Sequence, residues 1–346
     1  MNVVKRRKKG RRPGFPVKTL SRLDTYLLFG QSLSARRAFH RRISLLGICL
    51  LLTVGVLFSE RHHREEVLLP PHVAELAPSL SLPMEVNEEV EHWMERYLTD
   101  QRPVFRQYLE REGLYSEMIL DALHRRGMPQ ELLYLAAIES GFSPGASSPV
   151  SATGLWQFMG PTAEAFGLRI DAYVDERRDP VRATEAALDY LSTLHDRFGS
   201  WYLAAAAYNA GPSRVARLLK AHTDDSQEAE DLYWEIVDHL PRETRAYVPK
   251  MLAAVLLAQA AHQYGFDVKP ANPIRFDRVW VPGGTSLRTV AKAVGAPLAR
   301  IRELNPQLLR GVTPPGETFG IRVPVGSSPK LVASLGGHWR RVNVDD

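Results

Sequence analysis

One carboxylate in this chain stands where a carboxylate is hard to keep ionised. Glu139 closes the run Leu132, Leu133, Tyr134, Leu135, Ala136, Ala137 and Ile138, with Ser140 and Gly141 directly behind it. The run leaves almost no polar face and reads as a helix buried on every side. Pro129 suits its first turn, where a missing N–H costs nothing, and Gly141 is the expected stop. Burial raises a carboxyl pKa because the ionised form loses hydration. The negative end of the helix dipole, in the last turn, opposes the anion further. Glu139 is therefore expected to titrate above the ordinary glutamate value of about 4.3 and to be protonated near neutral pH, as a general acid must be. A partly exposed glutamate that happens to end a helix fits the same residues, so the stretch alone leaves two readings.

Rival chemistry finds little support. The eleven histidines form no HxxxH or similar ligand spacing, and Cys49 is the single cysteine, so neither a metal site nor an intramolecular disulfide is expected. No glycine-rich phosphate loop is present, and no cofactor is implied. Asp171, Asp175, Glu176 and Asp179 are candidate second carboxylates, but their loop and cap positions favour solvated or structural roles. No other acid is expected to have so buried a setting as Glu139.

The elements that must position Glu139 are helical. From Val86 to Arg126 apolar residues recur at three and four, the period of amphipathic helices. Asp179 and Pro180 read as an N-cap followed by proline. The stretch "WYLAAAAYNAGPSRV" is an apolar helix broken at Gly211 and Pro212, and "LPRETRAYVPKMLAAVLLAQAAHQYG" supplies a closing helix. Residues 86–127 are taken as a helical lead-in and 128–268 as an all-α domain. Composition then changes: period-two runs at Arg275 to Val281 and Thr318 to Val323 enclose two short helical patterns. Residues 275–326 thus form a small α+β module of order strand, helix, helix, strand, and residues 327–346 are left unassigned.

The other end of the chain is a different material. Residues 1–42 carry thirteen Lys or Arg and one acid, Asp24, although the whole chain is only +5. The uncharged run Ile43 to Phe58 follows. As a helix it reaches about 24 Å at ~1.5 Å per residue, short of the roughly 30 Å hydrocarbon core, so flanking arginines must snorkel or the bilayer thin. A cleaved signal peptide is the rival; the long basic leader and the lack of a small-residue cleavage site favour a retained single membrane helix at 43–58. The positive-inside bias leaves the tail in the cytoplasm and exports the body, anchored at the inner membrane and facing the periplasm. The tail reads as a topology determinant, with no nucleic-acid partner expected. Residues 59–85, rich in proline, read as a spacer.

The order "ESGFSP", "GLWQFMGPTA", "AYNAG", "ETRAYVPKMLA" resembles the lytic transglycosylases of the soluble and membrane-bound D type, over roughly residues 86–268. The resemblance implies a lysozyme-like helical catalytic domain that cleaves the β-1,4 bond between N-acetylmuramic acid and N-acetylglucosamine in peptidoglycan without water as acceptor. It implies that Glu139 donates a proton to the glycosidic oxygen, then takes one from the muramic C6 hydroxyl as a 1,6-anhydro ring closes. One carboxyl acting twice replaces the usual pair. It also implies that Ser140 hydrogen-bonds near Glu139 or the substrate acetamido group, and that Gln157 and Met159 line the sugar groove. Tyr208 and Asn209 join them there, with the Tyr208 hydroxyl directed at Glu139, and Tyr247 is the analogous candidate on the closing helix. A core aromatic with a satisfied hydroxyl is the other reading of each tyrosine, and Trp156, where the family often has methionine, is open to a packing role.

The segment "GGTSLRTVAKAVGAPLARIRELNPQL" resembles a divergent LysM domain, which implies binding to glycans containing N-acetylglucosamine; a non-binding spacer is the alternative. Three functions follow as candidates: a membrane-anchored lytic transglycosylase, a lysozyme-type hydrolase on the same fold, and a cell-wall-binding scaffold without catalysis.

Overall fold

The computed structural model describes residues 81–223 and 231–335. The basic tail, the membrane run at 43–58 and most of the spacer lie outside the described residues. Among the described residues no helix is long and apolar enough to cross a membrane.

The body opens with α1 (Glu88–Leu98), capped by the Asn87 side chain, and α2 (Arg102–Arg125). A 3-10 turn at Gln130–Leu132 leads into α3 (Leu133–Ser140), and α4 (Gly160–Ala165) follows a long loop. Next come α5 (Pro180–Phe198), α6 (Trp201–Ala210), α7 (Pro212–His222), α8 (Asp231–Ile236), α9 (Arg242–Arg245) and α10 (Tyr247–Gln259).

Helix α10 is the spine. Every residue from Val248 to Leu257 except Lys250 is buried, because its sequence is apolar all round rather than striped. It packs against α1, α3 and α6. Tyr97, Phe105, Tyr108 and Phe266 close one side of this core as a ring cluster, with centroids 4.8–6.2 Å apart. The helical expectation for residues 86–268 holds, and Gly211 and Pro212 do separate α6 from α7.

The C-terminal module has its own core. Strands β1 (Asp277–Val281) and β2 (Phe319–Val323) pair antiparallel, Asp277 opposite Val323 and Val281 opposite Phe319. Between them run α11 (Leu287–Val294), capped by Ser286, and α12 (Leu298–Leu304). The predicted strand, helix, helix, strand order is therefore present. A further helix, α13 (Ser328–Ser334), lies in the stretch left unassigned and buries Leu331 in the same core.

Two junctions join module and body. The connecting segment runs along α2, with the Ala271 and Ile274 N–H groups donating to the Glu110 and Leu114 carbonyls at 2.9 and 3.1 Å. In the second, Val174 of the body is fully buried in the core of the module.

Candidate functional site

Glu139 is placed by the way α3 ends. Gly141 adopts the left-handed conformation, φ 59°, and its N–H closes on the Ala136 and Ala137 carbonyls. Any other residue would be strained there, and a Cβ would stand 3.0 Å from the Tyr108 ring. The helix thus stops two residues after its last buried apolar residue, Ile138, and leaves Glu139 half-buried at its rim.

The Tyr247 hydroxyl donates to Glu139 Oε1 at 2.6 Å. One turn further along α10, the Lys250 ammonium reaches the Ile138 carbonyl at 3.5 Å and stands 5.5 Å from the Trp93 ring centre. Burial pushes the Glu139 carboxyl from 4.5 up to about 7; the Tyr247 hydrogen bond and the Lys250 charge pull against that, and the Glu243 charge adds to it. Desolvation wins because one hydroxyl donor replaces only part of the lost hydration. Burial and the Glu139 charge hold the Tyr247 and Tyr208 hydroxyls well above the ordinary range, so both stay protonated donors. Burial lowers the Lys250 ammonium, with the Glu139 charge opposing that shift.

The other expected positions fall into two groups. The Asn209 carbonyl accepts from the Thr244 hydroxyl at 2.7 Å, and its amide lies 3.5 Å from Glu243, so Asn209 is tied to α9, the turn that leads into Tyr247. Ser140 and Tyr208 instead tie backbone together. Ser140 Oγ is 2.7 Å from the Leu155 carbonyl and accepts from the Ser143 N–H at 3.1 Å, which fastens the helix end to the following loop. The Tyr208 hydroxyl donates to the Trp156 carbonyl at 2.7 Å. Of the two tyrosines expected here, Tyr247 bonds Glu139, whereas the Tyr208 hydroxyl feels the Glu139 charge but is spent on the Trp156 carbonyl.

Gln157 and Met159 ride on the loop between α3 and α4. Gln157 has φ 48° and spends its side-chain amide on the Gly154 carbonyl at 2.9 Å. Met159 is 44% exposed, an open apolar surface at the end of that loop. Trp156 is fully buried with its indole N–H on Thr184 at 2.9 Å, so it packs rather than faces solvent.

The expectation that no other acid has so buried a setting is wrong. Glu131, Asp175 and Asp179 are buried, at 1%, 5% and 3% exposure. Burial also lifts Glu112 to about 7, against a long hydrogen bond from Tyr134. These acids lie in sequence that reads as polar, and other segments bury them. Lys250 was missed as well, although its i, i+3 spacing from Tyr247 puts both on one helix face. Among the described residues no three His, Cys, Asp or Glu side chains gather to hold an ion.

A helical body with this acid at a helix end is a transglycosylase SLT domain by sequence as well: residues 118–230 match that family model. Residues 275–336 match the LysM-like domain of lytic transglycosylase MltD. Over these two segments the chain is similar to the lytic murein transglycosylases of this type. It is 30% identical over 232 residues to membrane-bound lytic murein transglycosylase D of Escherichia coli K12, covering 66% of this chain and 50% of that one. It is 31% identical over 163 residues to the soluble lytic murein transglycosylase of the same organism, covering 45% and 24%. The chain thus spans half the length or less of these relatives. The lytic transglycosylase Slt of Pseudomonas aeruginosa superposes on 44% of this chain and 24% of its own at a TM-score of 0.34 and 29% identity; the assignment rests on the sequence matches.

Proposed function

We propose that this protein is a peptidoglycan lytic transglycosylase with Glu139 as its single general acid and base. The observation that carries the reading is a carboxyl at the end of a buried helix held by a single hydroxyl at 2.6 Å, a setting in which burial lifts Glu139 to about 7. At neutral pH such a group holds a proton often enough to give it and loses it easily enough to take one back.

Glu139 protonates the glycosidic oxygen between N-acetylmuramic acid and N-acetylglucosamine as that bond breaks. The carboxylate left behind is stabilised by the Tyr247 hydroxyl and the Lys250 charge. It then removes the proton of the muramic C6 hydroxyl, whose oxygen attacks C1 and closes the 1,6-anhydro ring, which restores the acid. Tyr247 holds the carboxyl orientation through both transfers. Ser140 and Tyr208 act through backbone, holding the loop from Ser143 to Met159 against the end of α3. Gln157, Met159 and Asn209 provide glycan contacts along the rim. The LysM-like module binds glycan, and the run at 43–58 anchors the chain to the inner membrane with the enzyme in the periplasm.

The test is digestion of purified peptidoglycan by the protein shortened to begin at Ser59, alongside its Glu139→Gln variant. Release of muropeptides that the variant abolishes supports the assignment. Equal release by both removes Glu139 from the mechanism.

A further inference from the structure

The contact between module and body is more than packing. Arg322, on β2, is 3% exposed and reaches across to Asp179, also 3% exposed. One guanidinium nitrogen stands 2.6 and 2.8 Å from the two carboxylate oxygens. Asp179 at the same time caps α5, accepting from the Val181 and Arg182 N–H groups at 3.0 and 3.1 Å. Asn305 locks Arg322 from behind, its amide bonded to the Arg322 carbonyl and N–H at 2.7 and 2.8 Å. Around this pair the module grips one strip of the body. The Asp175 N–H donates to the Gln307 carbonyl, the Leu309 N–H to the Tyr173 carbonyl, and Arg310 to the Ala172 carbonyl, each at 2.9 Å.

The far side of that strip carries the loop between α3 and α4. Arg177, held by Asp175 at 2.9 Å, donates to the Ser151 and Phe158 carbonyls at 3.0 and 3.1 Å. Arg178 donates to the Gly145 carbonyl and Ser147 hydroxyl at 3.1 and 3.0 Å. The loop lies so close that a Cβ on Gly154 would stand 1.7 Å from the Arg177 carbonyl oxygen. Its other side meets the site, through Ser140 at Leu155 and Tyr208 at Trp156.

We infer that the C-terminal module is a built-in support of the active site, and that Arg322, acting through Asp179 and the strip at 172–179, positions the loop from Ser143 to Met159 against Glu139. Arg322 is a positioning residue: it touches no reacting atom. The role is separate from glycan binding by the module, and its effect on turnover rests on the reading of Glu139 given above. Position is transmitted from the buried end: Arg322 and Asp179 cannot part without stranding a charge, and backbone bonds and partly exposed arginine-to-carbonyl bonds carry the strip's position on to the loop.

The experiment uses the full chain. Arg322→Met alone strands a buried carboxylate and risks unfolding, so it is paired with Asp179→Asn, which keeps a side-chain cap and removes the charge. The double variant is expected to fold, to lose about tenfold in kcat on glycan strands as expected for a mispositioned site, and to leave KM nearly unchanged. Backbone amide exchange at Thr153 and Phe158, which bond to each other at 3.1 Å in both directions, should accelerate in the double variant. Arg322→Lys should restore part of both. A folded double variant with wild-type kcat and unchanged exchange at Thr153 and Phe158 overturns the inference. So does a loss confined to KM with exchange unchanged, which would assign the module to glycan capture alone. The exchange readout does not depend on turnover, so it decides the support role even if the protein releases no muropeptides and the proposed reaction fails.

Discussion

Glu139 and Asp179 are both acids at helix ends taken from water, and the fold treats them in opposite ways. Asp179 caps the N-terminus of α5, where the dipole favours an anion, and receives two backbone N–H groups and a guanidinium. Glu139 stands at the C-terminal end of α3, where the dipole opposes an anion, and receives one hydroxyl. Burial alone does not make a proton donor. A fully supplied carboxylate becomes a clamp, and an under-supplied one keeps its proton.

The largest expected effect is on the under-supplied acid. Glu139→Gln should lower muropeptide release by roughly 10²–10⁴-fold, measured by chromatography of the digest. The same substitution should reveal the cost of burying the group. Because the folded value of about 7 lies above the ordinary 4.5, the folded protein holds its proton where the unfolded chain has lost it. The stability that Glu139 contributes is full below about 4.5 and is lost as pH rises towards 7. Relative to wild type, Glu139→Gln should therefore gain stability between those limits and keep the gain above them, as read by denaturant melts at pH 5 and pH 8.

The clamp should answer oppositely. Arg322→Met leaves Asp179 buried and unpaired, which costs about 3–5 kcal/mol in a melt at pH 7. Asp179→Asn alone leaves the guanidinium without its counter-charge and should also destabilise. A stable Arg322→Met protein would break the contrast between the two acids.

Smaller effects sharpen the Glu139 side. Tyr247→Phe removes the one hydrogen bond that favours the anion; a bond to a charged group is worth about 1.5–3 kcal/mol. Activity should fall about tenfold or more, and the high-pH limb of kcat/KM should move to higher pH. Movement to lower pH would show that Tyr247 does not stabilise the carboxylate. Gly141→Ala, at φ 59° and 3.0 Å from Tyr108, should cost about 1 kcal/mol and disturb activity less than either change at the carboxyl.

Periodicity makes the helices legible in the sequence, and the end of α3 is legible because Gly141 has one physical use there. The cap at Asp179 and Pro180 is equally local. What Asp179 does beyond capping is invisible in sequence, because its partner Arg322 lies 143 positions away in a strand where alternate residues read as surface. The same limit hid Glu112 and Glu131, which other segments cover. It also left the two tyrosines undistinguished: Tyr208 and Tyr247 stand in equally apolar helices, and only tertiary packing decides that the Tyr247 hydroxyl bonds Glu139 while that of Tyr208 bonds the Trp156 carbonyl. Motif order identified the neighbourhood, and tertiary contacts assigned the tasks within it.

Whether one carboxyl gives a proton and takes another from the substrate itself is decided by mass spectrometry of the muropeptides released by the wild-type protein. A carboxyl working in this way yields products ending in 1,6-anhydromuramic acid, lighter by one water than the hydrolytic products. Reducing-end muramic acid as the sole product would contradict it and make the protein a hydrolase.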